Sequence, residues 1–79
     1  MNIKILGTGC AKCQALEKKV RSIIEKEAIN AEITKVTDLK QIMSYGVMMT
    51  PGLVINEKVV SFGNIPTESQ IINWIKERN

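Results

Sequence analysis

Cys10-Ala11-Lys12-Cys13 stands where a short β-branched run gives way to an amphipathic one, and that junction constrains the fold more than any other stretch of the chain. Before it, Asn2-Ile3-Lys4-Ile5-Leu6 followed by Gly7-Thr8-Gly9 reads as a buried strand leaving its sheet. After it, Leu16, Val20, Ile23 and Ile24 mark one face of a helical period. Counting back along that stripe from Leu16 reaches Cys13, so its sulfur belongs to the inward face. Cys10 lies at the helix entrance, where a side chain meets solvent. The unsatisfied N–H groups and positive dipole end of the helix, with the Lys12 cation close by, favour thiolate over thiol at Cys10. The two sulfurs are therefore expected to differ. Cys10, its pKa lowered, attacks a disulfide, and Cys13, one turn deeper, resolves the mixed disulfide.

Other chemistries compete for this pair. A structural disulfide closing so short a loop would remove little chain entropy, and small domains stapled this way usually carry several bridges. A zinc site is incomplete, because the chain has no histidine and no third cysteine. Binding or transfer of monovalent copper stands as the alternative function, since that soft ion accepts two thiolates. Otherwise no metal and no cofactor is expected.

A chain of 79 residues is expected to form a single domain over 1–79, large enough for one sheet with helices packed on it. With 44% hydrophobic and 24% charged residues it has the balance of a folded protein. Its net charge of +3 comes from scattered lysines rather than a basic run, and there are only three aromatics to stack on bases, so nucleic-acid binding is not expected. No apolar stretch approaches the roughly 18 residues of a membrane span, and a redox-spaced pair without other disulfide candidates suits a reducing compartment. The expectation is a cytoplasmic protein.

The remaining elements follow from spacing and caps. The first helix is predicted from Ala11 to about Ala28, with Asn30 as its stop and a solvated face carrying Glu17 and Arg21. Lys4, in the first strand, either tunes the sulfur or packs its stem while the amine reaches water. Ala31 to Val36, poor in large apolar groups, reads as an edge strand parallel to the first. Asp38 caps a second helix with Gln41 as reciprocal partner; Leu39, Ile42 and Met43 form its inward stripe and Gly46 ends it. Pro51 must sit at the start of a buried strand through Leu53, Val54 and Ile55, turned at Asn56-Glu57 into a returning strand through Val59, Val60 and Phe62. Thr67 with Gln70 caps a last helix whose Ile71, Ile72 and Ile75 face inward and which ends in Lys76, Glu77 and Arg78. Met43, Met48 and Met49 read as gap fillers or an apolar rim rather than copper ligands, and Tyr45 and Trp74 as packing residues with polar tips near water.

The order β-α-β-α-β-β-α, with GTGCAKC after the first strand and MMTPGLVIN before the hairpin, resembles the thioredoxin superfamily over essentially the whole chain. It looks most like the small redox-active disulfide proteins of bacteria and archaea. The resemblance implies an α/β, thioredoxin-like fold: a four-stranded mixed sheet flanked by helices. It implies a thiol-disulfide oxidoreductase with Cys10 as nucleophile and Cys13 as resolving thiol. It also implies a cis proline at Pro51 against the dithiol, Thr50 offering backbone hydrogen bonds to an extended substrate, and Gly63 letting a substrate backbone approach. The implied partners are a disulfide-containing protein or small molecule and an electron donor, either a thioredoxin-reductase-like enzyme or glutathione. Gly9 stands before Cys10 where thioredoxins have tryptophan, and the first strand has no carboxylate to accept the resolving proton. Heavy-metal-associated domains also place Cys-X-X-Cys after a first strand, but they end on a strand and have no role for Thr50-Pro51.

Overall fold

The computed structural model describes residues 1–77. Its elements run β1 (Asn2–Leu6), α1 (Ala11–Lys26), β2 (Glu32–Val36), α2 (Leu39–Ser44), β3 (Gly52–Ile55), β4 (Lys58–Phe62) and α3 (Glu68–Glu77). The sheet has four strands in the order β2-β1-β3-β4. β1 pairs with β2 in parallel and with β3 antiparallel, and β3 pairs with β4 antiparallel. This is the mixed sheet expected from the sequence, with β2 on an edge.

Alternation along the central strands divides the core. Ile3 and Ile5 of β1 and Leu53 and Ile55 of β3 meet Leu16, Val20 and Ile23 of α1 and Ile71 and Ile75 of α3 on one face. Leu6 and Val54 point to the other face, where Ile42 of α2, Val36 and Val47 cover them. Every residue of β3 is buried, which is why it reads as an unbroken apolar run. A bulge between Leu53 and Val54 leaves Leu53 opposite Ser61 and Val54 opposite Val59. The hairpin turns on Asn56 and Glu57, both with positive φ (49° and 68°), the left-handed pair of a tight two-residue connection.

Three sequence expectations need correction. The first helix ends before Ala28: Glu27 is its C-cap, and Ala28 takes φ 52°. The Ile29 N–H donates to Ile24 C=O and the Ala28 N–H to Glu25 C=O, the bond pattern that closes a helix on a left-handed residue. Alanine fills a position that favours glycine, so the stop is invisible to a search for Gly or Asn. On α2 only Ile42 is buried, while Leu39 and Met43 are exposed. A helix of six residues turns too little to lay a stripe on the sheet; its neighbour Val47 completes the contact instead. The Asp38 carboxylate caps α2 by accepting from the Lys40 N–H at 2.9 Å rather than pairing with Gln41.

The cap of α3 forms as expected. The Thr67 N–H donates to Gln70 Oε1 at 3.1 Å and the Gln70 N–H to Thr67 Oγ1 at 3.2 Å. Ile71 and Ile75 are buried and Ile72 is half-buried. Arg78, expected at the helix end, lies outside the described residues. Trp74 packs partly buried against the core. Among the described residues no helix is long and apolar enough to cross a membrane.

Candidate active site

β1 ends at Leu6, and the chain crosses Gly7-Thr8-Gly9 to reach α1. Gly9, with φ +94°, supplies a conformation that other residues rarely adopt. Its carbonyl accepts from Gln14 Nε2 at 3.1 Å, which fixes the approach to the helix. Cys10 is the N-cap of α1, with extended backbone (φ −68°, ψ 167°). Its sulfur does what a serine or aspartate oxygen does at other caps: Sγ accepts the Cys13 N–H at 3.3 Å. The first turn of α1 contains no carboxylate to oppose a negative charge there.

The two thiols are free and differently placed, Cys10 exposed and Cys13 only 5% exposed. Their acidities diverge accordingly. The Cys13 thiol hydrogen-bonds to the Cys10 sulfur, and with the backbone N–H groups of Cys13 and Lys12 it holds Cys10 below the ordinary thiol range. Burial pushes Cys13 up, and its hydrogen bond to Cys10 adds to the rise. The arrangement sets a solvent-facing sulfur, the more acidic of the two, above a buried and less acidic one. Lys12 is exposed in the first turn of the helix. It reaches Cys10 through its backbone N–H.

The second element of the site is the loop before β3. The Thr50-Pro51 bond is cis, and Pro51 is buried. The Gly63 N–H donates to Pro51 C=O at 2.9 Å. With φ +84° and Met49 Cβ 3.5 Å from where a Cβ would stand, Gly63 closes this loop against the end of β4. Thr50 and Cys13 both border Gly7: a Cβ there would lie 3.9 Å from Thr50 Cβ and against Cys13. So Cys10, Cys13, Thr50, Pro51 and Gly63, far apart in sequence, gather at one end of the sheet. Met48, Met49 and Phe62, all exposed, stand on or beside these segments.

Lys4 belongs elsewhere. Its Nζ donates to Tyr45 OH at 2.8 Å and pairs with Glu57 on the hairpin turn. Glu57 and then Tyr45 hold its amine above the ordinary lysine value. It ties β1 to α2 and the hairpin on the face away from α1, and Tyr45 uses its polar tip in that contact. Sequence reasoning missed Gly7, whose buried backbone touches the Cys13 side chain. The available signal was a glycine at the mouth of a strand built on Ile3, Ile5 and Leu6. Among the described residues no group of three or more His, Cys, Asp or Glu side chains could hold a metal ion.

Comparison with known proteins places the chain in a family. The family model described as Thioredoxin domain matches residues 1–76. Proteins named Thioredoxin from Methanothermobacter thermautotrophicus and Methanocaldococcus jannaschii are 37% and 39% identical over 71 and 74 residues, covering 90% and 94% of this chain and 92% and 85% of theirs. Thioredoxin 1 from Thermosipho africanus superposes with a TM-score of 0.67 at 23% identity, over 99% of this chain and 93% of that one, and shares the fold. Helix α2 separates β2 from β3, where heavy-metal-associated domains run β-α-β-β-α-β. By the extent of the family match and of both archaeal alignments, the chain belongs to the thioredoxin family.

Proposed function

We propose that Cys10 and Cys13 carry the thiol-disulfide oxidoreductase activity of this thioredoxin-family chain, with Cys10 as nucleophile and Cys13 as resolving thiol. The observation that supports this division is the exposed Cys10 sulfur at the helix N-cap above the buried Cys13. The Cys10 thiolate attacks one sulfur of a substrate disulfide, forming a mixed disulfide and releasing the other sulfur as thiolate. The Cys13 thiol then loses its proton to solvent, and its sulfur bonds to Cys10. The substrate sulfur leaves with the bonding electron pair. The substrate disulfide gains two electrons and the Cys10-Cys13 pair becomes a disulfide, which a reductase or a thiol such as glutathione returns to the dithiol. No cofactor enters either step. Thr50 and Pro51 offer an edge for an extended substrate beside Gly63, and Met49 and Phe62 supply an apolar rim. A pair that cycles in this way suits the reducing cytoplasm.

Titration in thiol buffers, read by mass after alkylation, tests the reading. A reversible intramolecular Cys10-Cys13 disulfide is expected. A pair that stays reduced in every buffer overturns it.

Acidity gives a further prediction. Alkylation of Cys10 should rise with a midpoint below that of a free thiol, while Cys13 stays unmodified through the same range. Folding stability follows the same two shifts. The lowered Cys10 pKa gives a contribution present above the unfolded value and lost as pH falls through the folded one. The raised Cys13 pKa gives one present below the unfolded value and lost as pH rises through the folded one. The two overlap around the ordinary thiol pKa. We also assign the Lys12 ammonium to this tuning. Lys12→Gln should move the Cys10 midpoint upward, and an unchanged alkylation profile removes Lys12 from the site.

A further inference from the structure

Gly7 is buried at the mouth of β1, and its N–H donates to Val36 C=O at 2.9 Å. Unlike Gly9 and Gly63 it does not have positive φ, so its backbone does not call for glycine. Space does. A Cβ at Gly7 would lie 2.3 Å from Cys13 Sγ and 3.0 Å from Cys13 Cβ, against ordinary contacts of about 3.5–4.0 Å between carbons. The sulfur thus occupies the volume that a side chain at this position would fill. Beside it is a small cavity of about 90 Å³, lined by Gly7, Gly9, Cys13, Gln14 and Glu17 among others, which offers a displaced sulfur another place to go.

We infer that Gly7 is the positioning residue of the resolving thiol: its missing side chain lets the Cys13 sulfur lie on the strand end, at the helix turn whose N–H caps onto Cys10 Sγ. The inference rests on Cys13 being the resolving sulfur. The step at stake is the second one, in which Cys13 loses its proton, its sulfur bonds to Cys10, and the Cys10–substrate bond breaks. Closing that disulfide demands a narrow Cβ-to-Cβ distance and dihedral. An alanine at 7 crowds both Cβ and Sγ of Cys13 and pushes the sulfur into another staggered position. The first attack, by a sulfur on the solvent side, does not need that space.

Reaction with dithiobis(nitrobenzoate) separates the steps, because attack by Cys10 releases one coloured thiolate and resolution by Cys13 releases a second. Gly7→Ala is expected to keep the first release and to slow the second at least about tenfold, within the roughly hundredfold that an ångström-sized misplacement can cost. A second release at the wild-type rate overturns the inference. Cys13→Ser, run alongside, should abolish the second release; if it does not, the assignment of Cys13 as resolving thiol fails and the role of Gly7 falls with it.

Thermal unfolding distinguishes positioning from a general need for glycine. The Tm lost on Gly7→Ala should be clearly smaller in a Cys13→Ala background, where no sulfur meets the new methyl. An equal loss in both backgrounds overturns the inference. If Gly7→Ala alone does not fold, recovery of folding in the double variant supports it, and failure of the double variant overturns it.

Discussion

Replacing Cys10 with serine is expected to lower the rate of disulfide reduction by at least about a thousandfold, to the level of the added thiol alone. A hydroxyl at the N-cap would accept the Cys13 N–H as well as sulfur does, so fold and stability should change little. What disappears is the nucleophile, because serine is not ionised at neutral pH and the helix terminus cannot make it so. Cys13→Ser behaves differently. The exposed Cys10 still attacks, but nothing beneath it displaces the substrate, and a mixed disulfide accumulates on Cys10. Mass analysis after a quench with acid reads both outcomes. Substrate trapped by Cys10→Ser and not by Cys13→Ser would reverse the two roles.

The fold and the placement of the two cysteines were legible in the sequence because each was written locally. Period and caps located all seven elements, and Cys13 fell on the stripe of Leu16, Val20 and Ile23 that the helix buries. What was not legible depended on neighbours remote in sequence. Leu39 and Met43 have the spacing of an inward face, yet a helix as short as α2 meets the sheet through Ile42 alone. The end of α1 was misplaced because Ala28 adopts a left-handed conformation that its side chain does not announce. Lys4 could not be assigned from β1, since its partners Tyr45 and Glu57 arrive from α2 and the hairpin turn. Gly7 belongs to the same class. Only the packed arrangement reveals that the sulfur of Cys13 fills its missing side chain.

The same contrast between core and rim sets the largest expected effect on stability. Leu53 is fully buried in central β3, facing α1 and α3 among Ile5, Leu16 and Ile71. Leu53→Ala removes its apolar atoms and leaves a space that a strand paired on both sides cannot collapse into, for a cost of about 2–5 kcal/mol. Domains of this size are stable by only about 5–15 kcal/mol, so the loss takes a large share of the total. Urea denaturation should show a lowered midpoint with an unchanged slope. Met48→Ala, at a side chain 86% exposed, should stay within about 0.5 kcal/mol of the parent. A Leu53→Ala cost no larger than that of Met48→Ala would mean that the two-faced core is not what holds β3 in place. Function follows from the same packing. Leu53 comes directly after Pro51-Gly52, and β3 fixes where the proline loop meets the end of β1, so loosening it should slow reduction even in the molecules that remain folded.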